Sequence, residues 1–468
     1  MTEKEKSKNE LLQEKLFLKR ESSWSNQYKT EKEKIFTFVE EYKSFMKKSK
    51  TERLCVETII SQLESNGFKN IDSVESIQEN DKIYKNIKDK TVIACMVGKE
   101  KNAFQLIGSH IDSPRLDLKP SPLYQDGELS LMQTHYYGGI KKFHWVNTPL
   151  ELHGIIFTKN NKKITISIGA ADDEPKFIIP DLLPHLARDQ MKKDAGKIIE
   201  GEDLNIICGH IPITDNAIKD KIKFNVMNHL HEQYGIIEED FNCAELELVP
   251  AQNPIDIGFD KALVGCYGQD DKACAYTSLR AILDIEIPNN TAVTLFVDKE
   301  EIGSTGDTGA ESFMLLHFAI EYIEKAGLTV SPHILLNNSR SISADVTAAF
   351  DPNFAGVMDS QNTSYLGKGI SIEKYGGSRG KYGTHDAHAE YMHYLRSLAD
   401  KNNIPWQTGE LGKIDLGGGG TIGMLLSRYG MDCVDAGPCL LGMHSTCEVA
   451  SKADLYAAYN YYKVFLAD

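Results

Sequence analysis

The sequence predicts an α/β fold in which a β-rich block interrupts a layered domain. In residues 1–115, apolar segments with helical spacing precede and separate short buried strands. Residues 116–250 contain mainly short strands, and helices alternate with strands again over residues 251–468. Helices placed between buried strands are typical of a layered sheet. We therefore predict an α/β/α sandwich with a β-rich insertion.

The first elements of the chain are predicted to be helical. Residues 1–22 are highly charged and carry leucines at helical intervals, which indicates a flexible or docking N-terminal helix. From Ile35 to Phe68, apolar residues recur at steps of three and four, and the stretch closes on Asn66-Gly67. This pattern predicts two helices with a turn-like stop. The runs "KTVIACMVG" and "AFQLIGSHIDSP" follow as predicted strands.

The middle of the chain differs from its ends in its predicted secondary structure. "LELHGIIFTKNNKKITISIG" predicts a hairpin, and further strands are predicted at "NIICGHIPI", "IKFNVMNHL" and "CAELELVPA". Helices are then predicted at "ACAYTSLRAILD", "ESFMLLHFAIEYIEKAG" and "HDAHAEYMHYLRSLADKNN", and strands at "TAVTLFVD", "HILLNNSRSISAD" and "DCVDAGP". We therefore divide the chain into a discontinuous domain, residues 1–115 and 251–468, and an inserted domain, residues 116–250.

Composition narrows the classes of function. The chain has 468 residues, enough for two domains, and a formal net charge of −15, which argues against broad binding of nucleic acid or anionic membranes. Its nine cysteines are scattered and never spaced as CxxC, so reduced thiols are expected. No stretch approaches the roughly 18 apolar residues of a membrane span, and no signal peptide begins the chain. These features predict a cytoplasmic protein.

Metal-capable side chains follow several of the apolar runs. In an open α/β sheet, ligands bind in the crevice at the strand ends, so residues distant in sequence can converge there. Candidates of this kind are His110, Asp112, Asp270, Asp271, Glu300, Glu301, Asp345 and His444. A set of His, Asp and Glu without Cys suits zinc or a similar divalent ion in a site that stays open to water.

Two spacings within this set indicate a division of roles. His110 and Asp112 are two residues apart at a strand end and share one side, so Asp112 could accept the imidazole N–H and orient the other nitrogen. The adjacent Glu300 and Glu301 could serve as a general base and a ligand. Each residue also has a simpler interpretation: a strand-end histidine often packs, paired carboxylates often lie in solvated turns, and Asp345 could cap a helix. The ordered set favours the metal site.

Five stretches, taken in order, resemble the M18 family of metallo-aminopeptidases, of the aspartyl-aminopeptidase type. They are "SHIDSPRLDLKP", "DKEEIGS", "SADVTAAFDPNF", "GGGGTIG" and "GMHSTCEVAS". The resemblance spans roughly residues 90 to 460. It implies a zinc-exopeptidase fold of the phosphorylase/hydrolase-like kind, with a β-rich dimerisation domain inserted, and removal of N-terminal residues from peptides.

The resemblance also assigns roles to residues of this chain. It implies two divalent ions, zinc or alternatively manganese or cobalt, with His110 and Asp345 on one and Glu301 and His444 on the other. Asp270 would bridge both ions, and its neighbour Asp271 is the less favoured bridge. Glu300 would be the general base, and Asp112 would support His110.

Substrate recognition and assembly are implied as well. Arg379, and less directly Lys381, match the basic side chain of acidic-specific relatives, and His185 matches a histidine that reaches the neighbouring subunit's site. The resemblance implies dimers that assemble into a tetrahedral dodecamer. Two departures bear on acidic specificity: Ala348 replaces a histidine of those relatives, and "YYGGIKKFHWVNTPLELHG" differs from their version.

Two alternatives remain open at this point. A carboxypeptidase or amidohydrolase of similar architecture would share the two-metal chemistry but would accept N-acetylated peptides, which lack the free amine. A scaffold that keeps the fold without catalysis would not need the complete set of candidate ligands or Glu300.

Overall fold

A computed structural model of the protein describes residues 6–19 and 21–468. Its ten helices are α1 (Lys8–Leu16), α2 (Lys32–Lys48), α3 (Glu52–Ser65), α4 (Lys221–Tyr234), α5 (Gln269–Asp284), α6 (Met314–Lys325), α7 (Pro332–Asn337), α8 (Ala389–Lys401), α9 (Gly423–Ser427) and α10 (Lys452–Ala467) in the described residues. No helix in these ranges has the length and apolar character that crossing a membrane requires.

The strands of the described residues are β1 (Lys69–Asn70), β2 (Lys82–Ile87), β3 (Thr91–Met96), β4 (Glu100–His110), β5 (Arg115–Asp126), β6 (Leu129–Tyr137), β7 (Leu150–Phe157), β8 (Lys163–Ile168), β9 (Ile206–Gly209), β10 (Ala244–Pro250), β11 (Ile255–Ile257), β12 (Leu263–Cys266), β13 (Asn290–Val297), β14 (Arg340–Ser343), β15 (Thr347–Ala348), β16 (Ile370–Glu373), β17 (Gly377–Ser378), β18 (Trp406–Thr408), β19 (Gly418–Gly419), β20 (Asp432–Gly437), β21 (Cys439–Leu441) and β22 (Glu448–Ser451).

A nine-stranded mixed sheet forms the centre of the molecule, in the order β1-β2-β3-β13-β4-β14-β20-β16-β18. Strands β13, β4, β14 and β20 are parallel to one another. One apolar core joins this sheet to helices α2, α3, α5, α8 and α10, and a second joins it to α6, α7 and α9. Because apolar helices cover both faces, β3 is buried along its whole length, as are β13 after its first residue and the last seven residues of β4. The predicted α/β/α sandwich is confirmed.

A second sheet of six strands has the antiparallel order β8-β7-β10-β5-β6-β9 and comes from residues 115–250. It has its own apolar core, against which α4 packs. We call it the insert sheet. A further five-stranded sheet, β11-β12-β22-β21-β15, lies near the end of the central sheet's parallel strands, and β17 pairs with β19.

Two predicted strands are wrong in whole or part. "IKFNVMNHL" lies in α4, where Ile222 is buried and Val226 and Leu230, at the same four-residue spacing, pack against the insert sheet's core. The first half of "HILLNNSRSISAD" is α7, which begins with Pro332 in the first turn, a favoured position for proline. In both places a short apolar run is compatible with either element, and tertiary packing decides.

The N-terminal helix is present but unpacked. Ser7 and Glu10 form a reciprocal capping box at the start of α1, yet no residue of this helix is buried. Of the predicted helical segment 1–22, residues 1–5 and 20 lie outside the described part of the chain. The following pair of helices, α2 and α3, ends at Asn66-Gly67 as predicted, with Gly67 at a positive φ.

Candidate active site

Three parallel strands bring predicted residues to one edge of the central sheet. β4 ends at His110, β14 ends two residues before Asp345, and β13 ends three residues before Glu300. The register aligns Val297, the last residue of β13, with His110. The loops that follow these strands therefore meet in one crevice, as the strand-end argument predicts.

The adjacent glutamates lie in a tight turn after β13. Lys299 and Gly303 bracket the turn with left-handed φ values of 69° and 95°. The two carboxylate oxygens of the buried Asp112 accept the backbone N–H groups of Glu300 and Glu301, each at 3.1 Å. Asp112 also contacts the histidine: His110 Nδ1 lies 3.4 Å from Asp112 Oδ1 and donates to the backbone carbonyl of Asp112 at 3.1 Å. Asp112 therefore positions both the turn and His110.

Asp270 lies between the two predicted histidines. It sits in the first turn of α5, and His444 follows β21 with a φ of 62°. Asp270 Oδ1 is 3.1 Å from His110 Nε2, and Asp270 Oδ2 is 3.1 Å from His444 Nε2. One carboxylate therefore faces both imidazoles, the arrangement that a bridging ligand requires.

The remaining candidates surround this centre. Glu301 Oε1 is 3.3 Å from His444 Nε2, while Asp345 Oδ1 and Glu300 Oε2 are each 4.0 Å from His110 Nε2. Donor atoms lie within 4.8 Å of one another in two sets that share His110: His110, Asp270 and Glu301, and His110, Asp271 and Asp345.

Asp271 differs from Asp270 in its surroundings. Its Oδ2 accepts the backbone N–H of His110 at 3.3 Å, and its Oδ1 is buried without a hydrogen-bond partner among the described residues. It does not lie between the histidines as Asp270 does.

Several supporting residues were not identified from sequence. Glu448 is buried and accepts the backbone N–H groups of His444 at 2.8 Å and Asp270 at 3.1 Å, so it holds both residues in place. Its position four residues after His444 in "GMHSTCE" is the sequence feature that could identify Glu448 as part of the site. Tyr137 donates to Asp112, and the Gly139 carbonyl accepts from His444 Nδ1 at 2.8 Å; no sequence pattern links them to the site.

The two histidines of the site are surrounded by carboxylates. Burial would lower the pKa of His444, but its hydrogen bond to Asp270 and the charges of Glu301 and Asp270 raise it to about 10. Burial opposes protonation of His110 in the same way, yet contacts with Asp112 and Asp270 raise its pKa well above the ordinary range. The carboxylates around both imidazoles therefore favour a positive charge at the centre of the site.

The pKa values of the carboxylates are also shifted, because the site contains more acidic than basic groups. Burial raises the pKa of Glu300 to about 7, and the neighbouring charges of Asp112 and Asp270 add to this. Burial and nearby carboxylates also raise the pKa of Glu301 and of Asp345 well above the usual range. A divalent cation would offset this repulsion and hold the imidazoles neutral. Carboxylate and imidazole donors without sulfur therefore fit a zinc-type ion.

A cavity of about 560 Å³ opens over these residues. Its wall includes His110, Asp270, Glu300, Glu301, Asp345 and His444, together with Arg379 and Lys381. The two basic residues lie in an exposed loop, where Lys381 pairs with Asp386 at 2.7 Å and stacks on the Tyr375 ring. His185 does not line this cavity: it lies in an exposed segment between β8 and β9.

A cluster of buried and partly buried carboxylates and imidazoles at the strand ends of an α/β/α sandwich defines a metal-dependent hydrolase site. Residues 45–466 match the protein family described as Aminopeptidase I zinc metalloprotease (M18). The chain is 46% identical to a protein of Clostridium acetobutylicum named "Probable M18 family aminopeptidase 1", over 95% of this chain and 97% of that protein. The chain belongs to the M18 family and is a zinc metallo-aminopeptidase.

Solved structures agree with this assignment. A crystal structure of an M18 aminopeptidase from Thermotoga maritima superposes with a TM-score of 0.93 at 42% identity, over 96% of this chain and 99% of that one. The dodecamer of mApe1 from Saccharomyces cerevisiae shares the fold, with a TM-score of 0.73 at 21% identity over 91% and 95% of the two chains. The predicted family, fold class and enzyme class are confirmed, and the carboxypeptidase, amidohydrolase and scaffold alternatives lose their support.

Proposed function

We propose that this aminopeptidase uses two divalent ions, both zinc, to release the first residue of a peptide. His110 and Asp345 would hold one ion, Glu301 and His444 the other, and Asp270 would bridge them. The observation that carries the proposal is the position of Asp270, with one oxygen 3.1 Å from each histidine. Asp271 faces a backbone N–H instead, which favours Asp270 as the bridge.

Glu300 is the proposed general base. When bound, the two ions supply Lewis acidity that polarises the scissile carbonyl and lowers the pKa of the attacking water. Glu300 takes the proton from that water as its oxygen bonds to the carbonyl carbon, and passes the proton to the amine as the C–N bond breaks. Its carboxylate lies in the cavity, and Asp112 fixes its backbone, which supports this role.

Replacing the two glutamates separately tests this division of labour. Glu300→Gln should keep the zinc content near that of the wild type while kcat falls by about 100-fold or more, the range expected for a lost general base. Glu301→Gln should instead lower the zinc content, because it removes a ligand charge. Zinc per subunit is measured by atomic spectrometry, and kcat with a leucyl or glutamyl anilide.

Two outcomes would contradict these assignments. Full activity in Glu300→Gln would remove Glu300 from proton transfer. Unchanged zinc content in Glu301→Gln across a chelator titration would remove Glu301 from the ligand set.

We further propose that Arg379 and Lys381 favour substrates with an acidic first residue. Both line the cavity that contains the proposed metal ligands, so a carboxylate side chain in the cavity could meet a guanidinium. Arg379 forms no ion pair with any residue in the described ranges, whereas Lys381 is already paired with Asp386. Arg379 is therefore the stronger candidate, as the sequence match suggests.

The proposed assembly is a dodecamer built from dimers, with residues 116–250 as the dimerisation domain. A separate apolar core in the insert sheet supports treating that segment as a domain. In this assembly His185 would enter the neighbouring subunit's cavity, which agrees with its exposure and with its absence from the wall of its own cavity. A cytoplasmic location stays a prediction from sequence.

A further inference from the structure

The insert sheet touches the proposed metal site through three consecutive residues. Tyr137 is the last residue of β6, and Gly138 and Gly139 follow it. We call residues 137–139 the brace. We infer that the brace positions Asp112 and His444, so that part of the insert sets the metal affinity and the reaction geometry of the other domain's site. This inference rests on the metal site proposed above.

The first contact is a hydrogen bond to Asp112. Tyr137 Oη donates to Asp112 Oδ2 at 2.9 Å, and the same oxygen accepts the Glu301 N–H at 3.1 Å. The other oxygen of Asp112 accepts the Glu300 N–H and lies 3.4 Å from His110. Both oxygens of this buried carboxylate thus have donors, and among the described residues Tyr137 is the donor that comes from the insert sheet. Without it, a lone pair of a buried carboxylate loses its partner.

The second contact determines which nitrogen of His444 faces the site. The Gly139 carbonyl can only accept, so His444 Nδ1, at 2.8 Å, carries the proton. His444 Nε2 is then free to present its lone pair toward Asp270 and Glu301, at 3.1 and 3.3 Å. A hydrogen bond of this kind orients a ligating imidazole and strengthens it as a ligand.

Gly138 permits the close approach of the brace to the turn of Glu300 and Glu301. Gly138 has a φ of +74°, and a Cβ there would lie 3.3 Å from the Glu301 Cβ. A Cβ at Gly139 would lie 3.4 Å from His444 Nδ1. A side chain at position 138 would therefore be strained in its backbone and would press on the turn that carries the two glutamates.

The Tyr137 ring is itself held in place. The Arg115 guanidinium stacks over it at 3.9 Å from the ring centre. Arg115 in turn pairs with Glu52 of α3 at 3.2 Å and with Glu247 of β10 at 3.1 Å. These three charges are buried, so they join the insert sheet to the helical layer next to the brace. The brace is thereby fixed to both parts of the fold.

Two substitutions test the inference, each with a matched control. Tyr137→Phe removes one oxygen atom, and its control is Tyr136→Phe, which removes the same atom from the neighbouring exposed ring. Gly138→Ala adds a methyl group facing Glu301. Its control is Gly127→Ala, at a φ of +55° in the same sheet's hairpin with no atom within 4 Å of the added methyl, so both variants carry comparable backbone strain.

The measurements are zinc affinity, by competition with a chelating dye, and the visible spectrum of the cobalt-loaded protein. We expect both brace variants to bind zinc about 10-fold more weakly, which is the lower end of the range for losing a residue that orients a metal ligand. The cobalt absorption bands should shift, and kcat should fall with KM near wild type. Tyr136→Phe and Gly127→Ala should match the wild type in affinity and spectrum, even if Gly127→Ala melts at a lower temperature.

The possible failures are distinguishable. If the wild-type protein binds no zinc, or if Asp270→Asn binds zinc as tightly as the wild type, the proposed metal site and this inference are both refuted. If the wild type binds zinc at Asp270 but the brace variants equal their controls in zinc affinity and cobalt spectrum, the inference is refuted and the metal site remains supported. Should Tyr137→Phe not fold, Gly138→Ala against Gly127→Ala decides the question.

Discussion

At the scale of single residues, the pKa of each buried group of the site is set by the balance between its burial and its neighbours. Asp270 shows the principle, because burial would raise its pKa but hydrogen bonds from the two histidines lower it. Glu448 shows the opposite balance, since burial and the charge of Asp270 raise its pKa to about 8 despite two backbone donors. The proposed ligands therefore depend on neighbours at least as much as on their own identity.

Asp454, far from the metal site, gives a prediction about pH and stability. It is fully buried in α10, where it accepts the N–H groups of Gly367 and Gly369, and burial raises its pKa to about 7. The pKa of an aspartate in an unfolded chain is about 3.9. At pH values between this pKa and the folded pKa, Asp454 is therefore protonated in the folded state and ionised in the unfolded state. Its stabilising contribution is full below the unfolded pKa and is lost as pH rises through about 7.

The Asp454→Asn variant isolates this contribution. The free energy of unfolding of the wild type minus that of the variant should fall between pH 5 and pH 7.5, by at most about 1.4 kcal/mol per pH unit. Urea denaturation at several pH values measures it. Parallel pH dependence of the two proteins would show that Asp454 does not titrate in this window.

Arg379 provides a prediction about specificity. If it meets an acidic first residue, Arg379→Ala should lower kcat/KM for glutamyl and aspartyl anilides by roughly 10- to 100-fold, the range for a lost charge-assisted hydrogen bond, with little change for leucyl anilide. Lys381→Ala is the control, because Lys381 already pairs with Asp386 and should matter less. A wild-type preference for Leu or Met over Asp and Glu would refute acidic specificity.

At the scale of secondary structure, the site depends on where strands end. β4, β13 and β14 run parallel and stop at one edge, and α5 starts there with Asp270 in its first turn. Helix α10 packs against α5 and α2 on one face of this sheet. It thus supports the helix that carries the proposed bridging ligand.

Phe465 in α10 tests that support. Its side chain is fully buried in the core shared with α5, so Phe465→Ala should destabilise the protein by about 3–5 kcal/mol. Phe313→Ala is the control, since Phe313 is 65% exposed and should cost little. Urea midpoints give the comparison. Equal midpoints for the two variants would mean that α10 does not contribute to the core as its burial indicates.

At the scale of the whole molecule, two sheets with separate cores meet beside the cavity. Residues 137–139 contact Asp112 and His444, and the buried pair of Arg115 with Glu52 joins the insert sheet to α3. Movement of the insert sheet would therefore shift Asp112 and His444. The exposed His185 belongs to the same insert and does not line the cavity of its own subunit. This placement makes the assembly testable by mixing subunits.

Co-expression of His185→Ala with Glu300→Gln subunits is the test. Each variant expressed separately should be strongly impaired. In the proposed assembly, a mixed dimer would contain one site with an intact Glu300 and an intact partner histidine. With random pairing, such sites would be roughly a quarter of all sites. Activity should therefore recover on co-expression, with His210→Ala, another exposed insert histidine, as an active control. No recovery, or a fully active His185→Ala, would place His185 outside catalysis.

Sequence reasoning performed well for long, strongly periodic elements and for residues in recognisable motifs. It located α2, α3, α5, α6 and α8, the parallel strands and every candidate that the structure gathers around Asp270. It failed for α4 and α7, where short apolar runs suit a strand or a helix equally. It also missed Tyr137, Gly139 and Glu448, because their roles arise from contacts across the fold.

The sequence by itself determined the family, the layered α/β fold and the identity of the metal-capable side chains, because these depend on local periodicity and on motifs read along the chain. The tertiary structure decided which aspartate of the pair lies between the histidines, how Asp112 holds the turn of Glu300, and that the insert sheet reaches His444. These facts depend on distances between segments separated by 100 residues or more, for example 305 residues between Gly139 and His444. Packing of the two sheets sets such distances, and no local pattern encodes them.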